Sequence, residues 1–343
     1  MSTLDFTNQR RVSWGLFLTV MFAVICGMIV GNALIDQRSS FATEGAGQER
    51  FGTYSPVEEV SDGTYRQVME TEIAAPTGTR VVLHNSNGQT KVSSWEKATA
   101  WVHAKKQVHF QSGWLGFLGL GGGGNLSEAK KELDQTEVVI EQGDGELRIL
   151  TKVPKWRSEV SSSIDYEILI PKHLALEVES SNGSVEIENL ESEVQAKSSN
   201  GKLEIRDVAG PVTVSTTNGK FQGERIGGPL KAESANGKIE VQQVGGGSEL
   251  ESSNGKIEIE LLNAPLDSEK VICETSNGGV EIRLPRGSGF HVDLKSNNGT
   301  VRTDFELAQS EVQESNRLEG HVGSGGGLVQ ARTSNGSIEV KMD

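Results

Sequence analysis

The feature that most constrains this chain is a phrase repeated five times in strict register between Ala175 and Ala264. The copies read ALEVESSNGSVEIENLES, EVQAKSSNGKLEIRDVAG, PVTVSTTNGKFQGERIGG, PLKAESANGKIEVQQVGG and GSELESSNGKIEIELLNA. Each has 18 residues and carries Asn-Gly at the same place: Asn182, Asn200, Asn218, Asn236 and Asn254. Looser copies follow at Asn277, Asn298 and Asn335, and one precedes at Asn87. A fixed period of this kind signals stacked units, each burying its apolar face against its neighbours.

The columns of the repeat read as strands. Four before each Asn stand Val178, Ala196, Val214, Ala232, Leu250, Cys273, Leu294 and Ala331. Three after it stand Val185, Leu203, Phe221, Ile239, Ile257, Val280, Val301 and Ile338, and five after it are mostly Ile or Val. Polar residues lie between, so the period is two and one face is apolar. Asn-Gly supplies residues that tolerate positive φ, which a tight reversal needs.

Two all-β architectures fit: a parallel β-solenoid with ~18-residue coils, or an antiparallel β-hairpin meander. A regular hairpin would make the position seven after Asn apolar. Instead it is Asn189, Asp207, Arg225 and Gln243, and the apolar residue comes one later, at Leu190, Val208, Ile226 and Val244. The alternation slips by one, which favours a coil corner over a bulge repeated in every hairpin. Stacking would then turn the Asn column, and the Ser/Thr column two before it, into hydrogen-bonded ladders.

Before the repeats, WGLFLTVMFAVICGMIVGNALI runs from Trp14 to Ile35 without a charge, long enough to cross a bilayer as a helix. Arg10 and Arg11 precede it, so the positive-inside rule puts the N-terminus in the cytoplasm and the bulk of the chain outside. The same run also resembles a cleaved signal, with Gly31-Asn32-Ala33 as the site, or a lipoprotein signal at Cys26. The expected organisation is a cytoplasmic tail (1–11), a transmembrane signal-anchor helix (12–35), a flexible linker (36–70), an N-terminal β section with one short helix (71–174) and the solenoid (175–343). The helix candidate is Ser127–Thr136, with Ala129 and Leu133 on one face. An apolar glycine-rich insert at 113–124 carries Trp114, Leu115, Phe117, Leu118 and Leu120, candidates for a membrane or partner loop or for a cover over the open end of the stack.

The chemistry of the chain is sparse. A net charge of −14 has the wrong sign for nucleic acid. Cys26 lies in the apolar run and Cys273 in a repeat, so no disulfide is expected, and six histidines at unrelated phases give no catalytic or metal site. No catalytic residue, cofactor or metal is expected. An outward column of Glu186, Glu204, Glu240, Glu258, Glu281 and Glu339 is a candidate surface-binding ladder for cations or a cationic polymer. Against this, Lys202, Lys220, Lys238 and Lys256 stand two residues before four equivalent positions and would neutralise it.

The run of an exported anchor, alternating strands, an AKKEL helix, a GDGELRI hairpin, a YEILIP strand and iterated S-x-N-G-x-[IVL]-x-[IV] resembles the bacterial DUF4097 β-strand repeat family, across roughly Thr71 to Asp343. The resemblance implies a β-solenoid-like domain at the cell envelope, with an adhesin label that is itself inferential, and no established catalytic residues. The expected function is therefore a non-enzymatic, membrane-anchored envelope protein with an adhesin-like or scaffold surface, located at the bacterial cytoplasmic membrane. Its expected partners are the membrane and a cell-surface polysaccharide or protein. A carbohydrate-active β-helix enzyme and an envelope-stress sensor working through a membrane partner are the alternatives. The strand Ser337–Met342 has no visible cap, which invites end-to-end self-association.

Overall fold

The computed structural model describes residues 52–110, 126–153 and 160–343. The N-terminal section contains β1 (Thr53–Tyr54), β2 (Glu58–Ser61), β3 (Thr64–Ala74), β4 (Arg80–Asn87), β5 (Thr90–Trp95), β6 (Thr99–Phe110), α1 (Leu126–Gln135), β7 (Glu137–Gly143), β8 (Glu146–Lys152) and β9 (Val160–Pro171). The five regular repeats give β10 (Ala175–Asn182), β11 (Val185–Leu190), β12 (Val194–Asn200), β13 (Leu203–Val208), β14 (Val212–Thr216), β15 (Phe221–Ile226), β16 (Leu230–Ser234), β17 (Ile239–Val244), β18 (Ser248–Ser252) and β19 (Ile257–Leu261). Then come β20 (Lys270–Thr275), β21 (Val280–Leu284), β22 (Phe290–Asn298), β23 (Val301–Thr303), β24 (Gln309–Glu314), β25 (Arg317–Val322), β26 (Leu328–Asn335) and β27 (Ile338–Met342).

The strand before each Asn-Gly lies in one sheet and the strand after it in another. Leu176 pairs with Val194 and Val194 with Val212 in one sheet; Val185 pairs with Leu203 and Leu203 with Phe221 in the other, all parallel. The repeats therefore form a parallel solenoid with one coil per repeat, and the hairpin meander is excluded. Among the described residues ten layers follow in the order β8–β9, β4–β5, β10–β11, β12–β13, β14–β15, β16–β17, β18–β19, β20–β21, β26–β27 and β22–β23.

The corner chemistry differs from the expectation. Among the Asn-Gly glycines only Gly88 and Gly183 have left-handed φ, at 115° and 141°. Elsewhere the glycine serves close approach: a Cβ on Gly201, Gly219, Gly237 or Gly255 would overlap the carbonyl of the glycine one coil earlier. The left-handed residues sit seven after Asn, at Asn189 (62°), Asp207 (55°), Arg225 (53°) and Gln243 (56°). One left-handed residue turns the next side chain inward, which is the origin of the one-residue slip. The following coil lacks this residue. Val244 pairs with Leu261 across a register shift, and the regular 18-residue spacing ends there.

The two sheets close on a single apolar core, with Val178, Ile187, Ile205, Phe221, Ile239 and Leu250 fully buried. One column carries a compensating exchange. Phe221 stands where the other regular repeats have Val, Leu or Ile, and its neighbour is Gly223 where they have Ile or Val. A Cβ on Gly223 would lie 3.1 Å from Phe221 Cζ and 3.0 Å from Val241 Cγ1. The ring occupies the space that glycine leaves.

Both ends are built out of sequence order. At one end β4–β5 lies between β8–β9 and β10–β11; at the other, β26–β27 lies between β20–β21 and β22–β23. The strand Ser337–Met342, expected as an uncapped edge, is thus interior, and β23 follows it as the last strand of its sheet. That end carries the antiparallel pair β24–β25, and Phe305 packs edge-on against Phe290 at 5.5 Å. The N-terminal layers are extended by antiparallel β1, β2, β3 and β6 on one sheet and β7 on the other. The stretch expected as linker up to residue 70 is strand over much of its length from Thr53, because Tyr65 and Met69 alternate into the interior. Helix α1 lays Ala129 and Leu133 on Tyr65 and Val108, and the buried Lys106 ammonium donates to the Leu133 and Thr136 carbonyls at 2.8 and 3.0 Å, closing the helix end. The turn Asp144-Gly145 is left-handed at both residues, as a two-residue hairpin requires.

Among the described residues no helix is long and apolar enough to cross a membrane. The Trp14–Ile35 run and the insert with Trp114, Leu115, Phe117, Leu118 and Leu120 lie outside them.

Gly223→Val is expected to destabilise the fold by about 2 kcal/mol through overpacking. Adding Phe221→Leu should return at least about 1 kcal/mol, read as the coupling term of a double-mutant cycle in urea unfolding.

Candidate functional site

The repeat projects three sets of polar groups: the corner, and the outer faces of the two sheets. At the corner, the carboxamides form one continuous chain. Asn182 Nδ2 donates to Asn87 Oδ1 at 3.0 Å, and the pattern continues through Asn200, Asn218, Asn236, Asn254, Asn277 and Asn335 to Asn298, with distances of 2.8 to 3.1 Å. Every amide donates in the same direction. The Ser/Thr column does not form the expected ladder. Thr275 donates to the Gly255 carbonyl at 3.0 Å, Thr333 to Gly278 at 2.8 Å and Ser296 to Gly336 at 2.8 Å. These hydroxyls satisfy the carbonyls of adjacent corners, while the Ser180, Ser198 and Ser234 hydroxyls have no partner among the described residues. Nothing here resembles an activated nucleophile.

On the outer face of the sheet that follows Asn-Gly, the glutamate ladder is threaded by lysines. Lys220 reaches Glu240 at 2.7 Å, Lys238 reaches Glu258 at 2.6 Å, and Lys256 bridges Glu258 at 2.6 Å and Glu281 at 2.8 Å. Arg206 holds Glu186 at 3.0 Å and also pairs with Glu204, and Lys341 holds Glu339 at 3.0 Å. Hydrogen bonds from Lys256 and Arg283 draw the Glu281 carboxyl down to about 2. All six glutamates expected as a binding ladder lie on one face, each beside a cation.

The opposite face behaves differently along its length. Near its start Glu179 lies between His84 at 3.1 Å and Lys197 at 3.1 Å, and the His84 hydrogen bond leads in drawing its carboxyl to about 2. Further along, Glu233, Glu251 and Glu274 are direct register neighbours on successive strands. Burial pushes the Glu251 carboxyl up, and Glu233, Glu274 and Glu249 push it further. Lys231 engages Glu233 at 3.2 Å, and Arg332 sits 3.9 Å from Glu274. The middle of this column therefore carries an electrostatic conflict that the other face lacks. It is legible in the sequence by reading the position three before Asn, which the ladder after Asn obscures.

A third feature is an open groove of about 480 Å³ beside the left-handed residues, lined in part by Lys172, Glu191, Asp207 and Arg225. Its charges are engaged with one another. Arg225 clasps Asp207 with two nitrogens, holding the carboxyl below its ordinary range, and Lys172 meets Glu191 at 3.0 Å. Both carboxylates of the groove, Glu191 and Asp207, are thus held by cations. Among the described residues no cluster of His, Cys, Asp and Glu is arranged to hold a metal. His103 stacks on Trp101, and His109 hydrogen-bonds Thr64 at 2.9 Å.

A family model described as Toastrack DUF4097 matches residues 122–341, which span both kinds of corner and the intercalated last coil. The chain belongs to the Toastrack DUF4097 family. Solved structures similar to this Toastrack chain include a "putative cell adhesion protein" from Clostridium sporogenes, with 13% identity over 81% of this chain and 99% of that one and a TM-score of 0.26. They also include "putative adhesin" structures from Bacteroides fragilis (11% identity, 80% and 96% covered, TM-score 0.46) and Parabacteroides distasonis (9% identity, 80% and 96% covered, TM-score 0.30). A comparison with curated proteins finds no match.

The charge conflict has a pH signature. The folded-state pKa of Glu251 lies above its unfolded value, so the group costs stability as pH rises from the ordinary glutamate range through the raised value. Glu251→Gln is expected to raise stability at pH 7 by about 0.5 kcal/mol, a small amount because solvent screens the site. Near pH 3 the two proteins should coincide. Urea midpoints at the two pH values measure this.

Proposed function

We propose that this Toastrack protein is a non-enzymatic, membrane-anchored envelope protein whose exported solenoid acts as an adhesive or scaffolding surface. The observation that carries this reading is the arrangement of polar side chains. They recur coil after coil in register columns on the outer faces of two sheets, at the ~4.8 Å spacing of stacked strands, and the charges lining the groove beside the left-handed residues are paired with one another. Catalysis by paired carboxylates needs two such groups free to act on one substrate. A repeating surface instead suits a repeating or extended partner, in which many weak contacts add. The partner is a cell-surface polysaccharide or protein. The face bearing Glu233, Glu251 and Glu274 favours cationic groups, since a positive charge there relieves a repulsion the fold already carries.

The apolar run after Arg10-Arg11 supplies the single membrane span and keeps the N-terminus in the cytoplasm. The unit Phe51–Asp343 then stands on the far side of the bacterial cytoplasmic membrane.

Purified residues 51–343 should be retained by cell-wall polymers or surface proteins in a binding screen, with retention falling as salt rises. The combined Glu233→Gln, Glu251→Gln and Glu274→Gln substitution should weaken it several-fold. If neither protein binds any envelope component at low salt, the adhesive reading is wrong. Full-length protein that fractionates away from membranes would remove the anchor.

A further inference from the structure

The intercalated coil has a consequence for association. In one sheet the order is β25, β22, β26, β20; in the other it is β23, β27, β21. Among the described residues, the strands from Phe290 onward therefore pair with the preceding solenoid only through β26 and β27. Phe290–Met342 is a module, and its docking edge is the inserted coil. The module joins the solenoid through Pro285–Gly289, a turn in which Ser288 N–H donates to the Pro285 carbonyl at 3.3 Å and Gly287 has φ 78°. No side chain or backbone atom lies within 4 Å of the Cβ position of Gly287, and Arg286 N–H donates to the Asp343 carbonyl at 3.1 Å, so the turn is held to the end of the module it leads into.

The docking edge is long, registered and specific. Val271 faces Val329, Cys273 faces Ala331, Val280 faces Ile338 and Ile282 faces Val340 in parallel ladders, all nearly or fully buried. Asn335 donates to Asn277, and Gly327 and Leu328 donate backbone N–H groups to Pro265 and Glu269 at 3.0 and 3.1 Å. Every one of these contacts is between parts of one chain. A second copy offers the same edge to the same acceptor strands, with only the course of the hinge changed. We propose that the chain associates with a second copy of itself by exchanging this module, each Phe290–Met342 segment docking on β20–β21 of its partner.

Exchange of an identical element across a short hinge is a low-cost route to a symmetric dimer, because the closed and exchanged interfaces are the same. The β20–β21 edge cannot be left open without exposing two adjacent strand edges and the apolar core between them. The opened state is therefore driven to close again, on its own module or on another copy's. This route does not depend on what the outer faces bind, and it differs from end-to-end contact of intact rods.

Hinge length gives the test. The hinge passes one layer and crosses from one sheet to the other, a span of about 14 Å from strand and sheet spacings. Deleting Arg286–Ser288 leaves three Cα steps between Leu284 and Phe290, at most about 11 Å. The full-length chain with this deletion, extracted in detergent, should be a dimer by light scattering while the native chain contains monomer. A monomeric deletion variant would overturn the proposal. The second measurement keeps the native hinge. Full-length chains carrying Arg283→Cys or Lys341→Cys, each with Cys26→Ser, are co-expressed with different tags and oxidised; these two positions are register partners. A mixed disulfide-linked dimer is expected, and its absence would also overturn the proposal. A Lys231→Cys chain, remote from the docking edge, should stay uncrosslinked with Lys341→Cys; crosslinking there would mark the mixed dimer as non-specific and count against the exchange.

Discussion

Two backbone corners can stack at strand spacing only if neither carries a side chain at the point of contact, and the rest of this structure depends on that condition. Glycine meets it at every Asn-Gly, because its missing Cβ would occupy the carbonyl of the corner beneath. Close stacking then brings the asparagine carboxamides within hydrogen-bond distance of one another. It also lets each sheet pair in register coil after coil. Single hydrogen bonds of this kind contribute about 1 kcal/mol net. Their value here is that every one requires the same register, so a slipped coil would lose its apolar column, its glycine contact and its amide partner together.

The repeated part of the fold was legible because its physics is local and periodic. Inward columns, the corner and the phase slip all follow from a two-residue period interrupted once per coil. The cause of the slip was only half visible. Asn189 and Asp207 are ordinary left-handed residues, but Arg225 and Gln243 are not, and they adopt the conformation because coils on both sides impose it. The order of the layers at the two ends was hidden. Nothing in the 37-residue step from Asn298 to Asn335 says that the later Asn stacks beneath the earlier one, since that choice is made by long-range pairing. The same intercalation removed the expected bare edge.

The polar surface divides by the same rule. A column repeats a residue type on every coil, so like charges stack unless a second column of opposite sign alternates with them. On the face after Asn-Gly, Lys202, Lys220, Lys238 and Lys256 do so, and the expected glutamate ladder becomes a solvated ion-pair lattice of modest energetic weight. On the other face this compensation fails around Glu251. The expected ladder drew attention to the regular column, while the irregular one holds the unrelieved charge.

The central claim is that the corner glycines from Gly201 onward are required by stacking contact rather than by backbone conformation, and two alanine substitutions separate these causes. Gly78 has φ 91° with no atom within 4 Å of its Cβ position, so Gly78→Ala carries only the conformational penalty, about 1 kcal/mol. Gly219 lacks a left-handed φ but faces the Gly201 carbonyl, and Gly219→Ala must displace a backbone pinned from both sides. Urea unfolding of the two variants should show Gly219→Ala losing at least about 3 kcal/mol, well beyond Gly78→Ala. A Gly219→Ala protein no less stable than the Gly78→Ala protein would contradict the account.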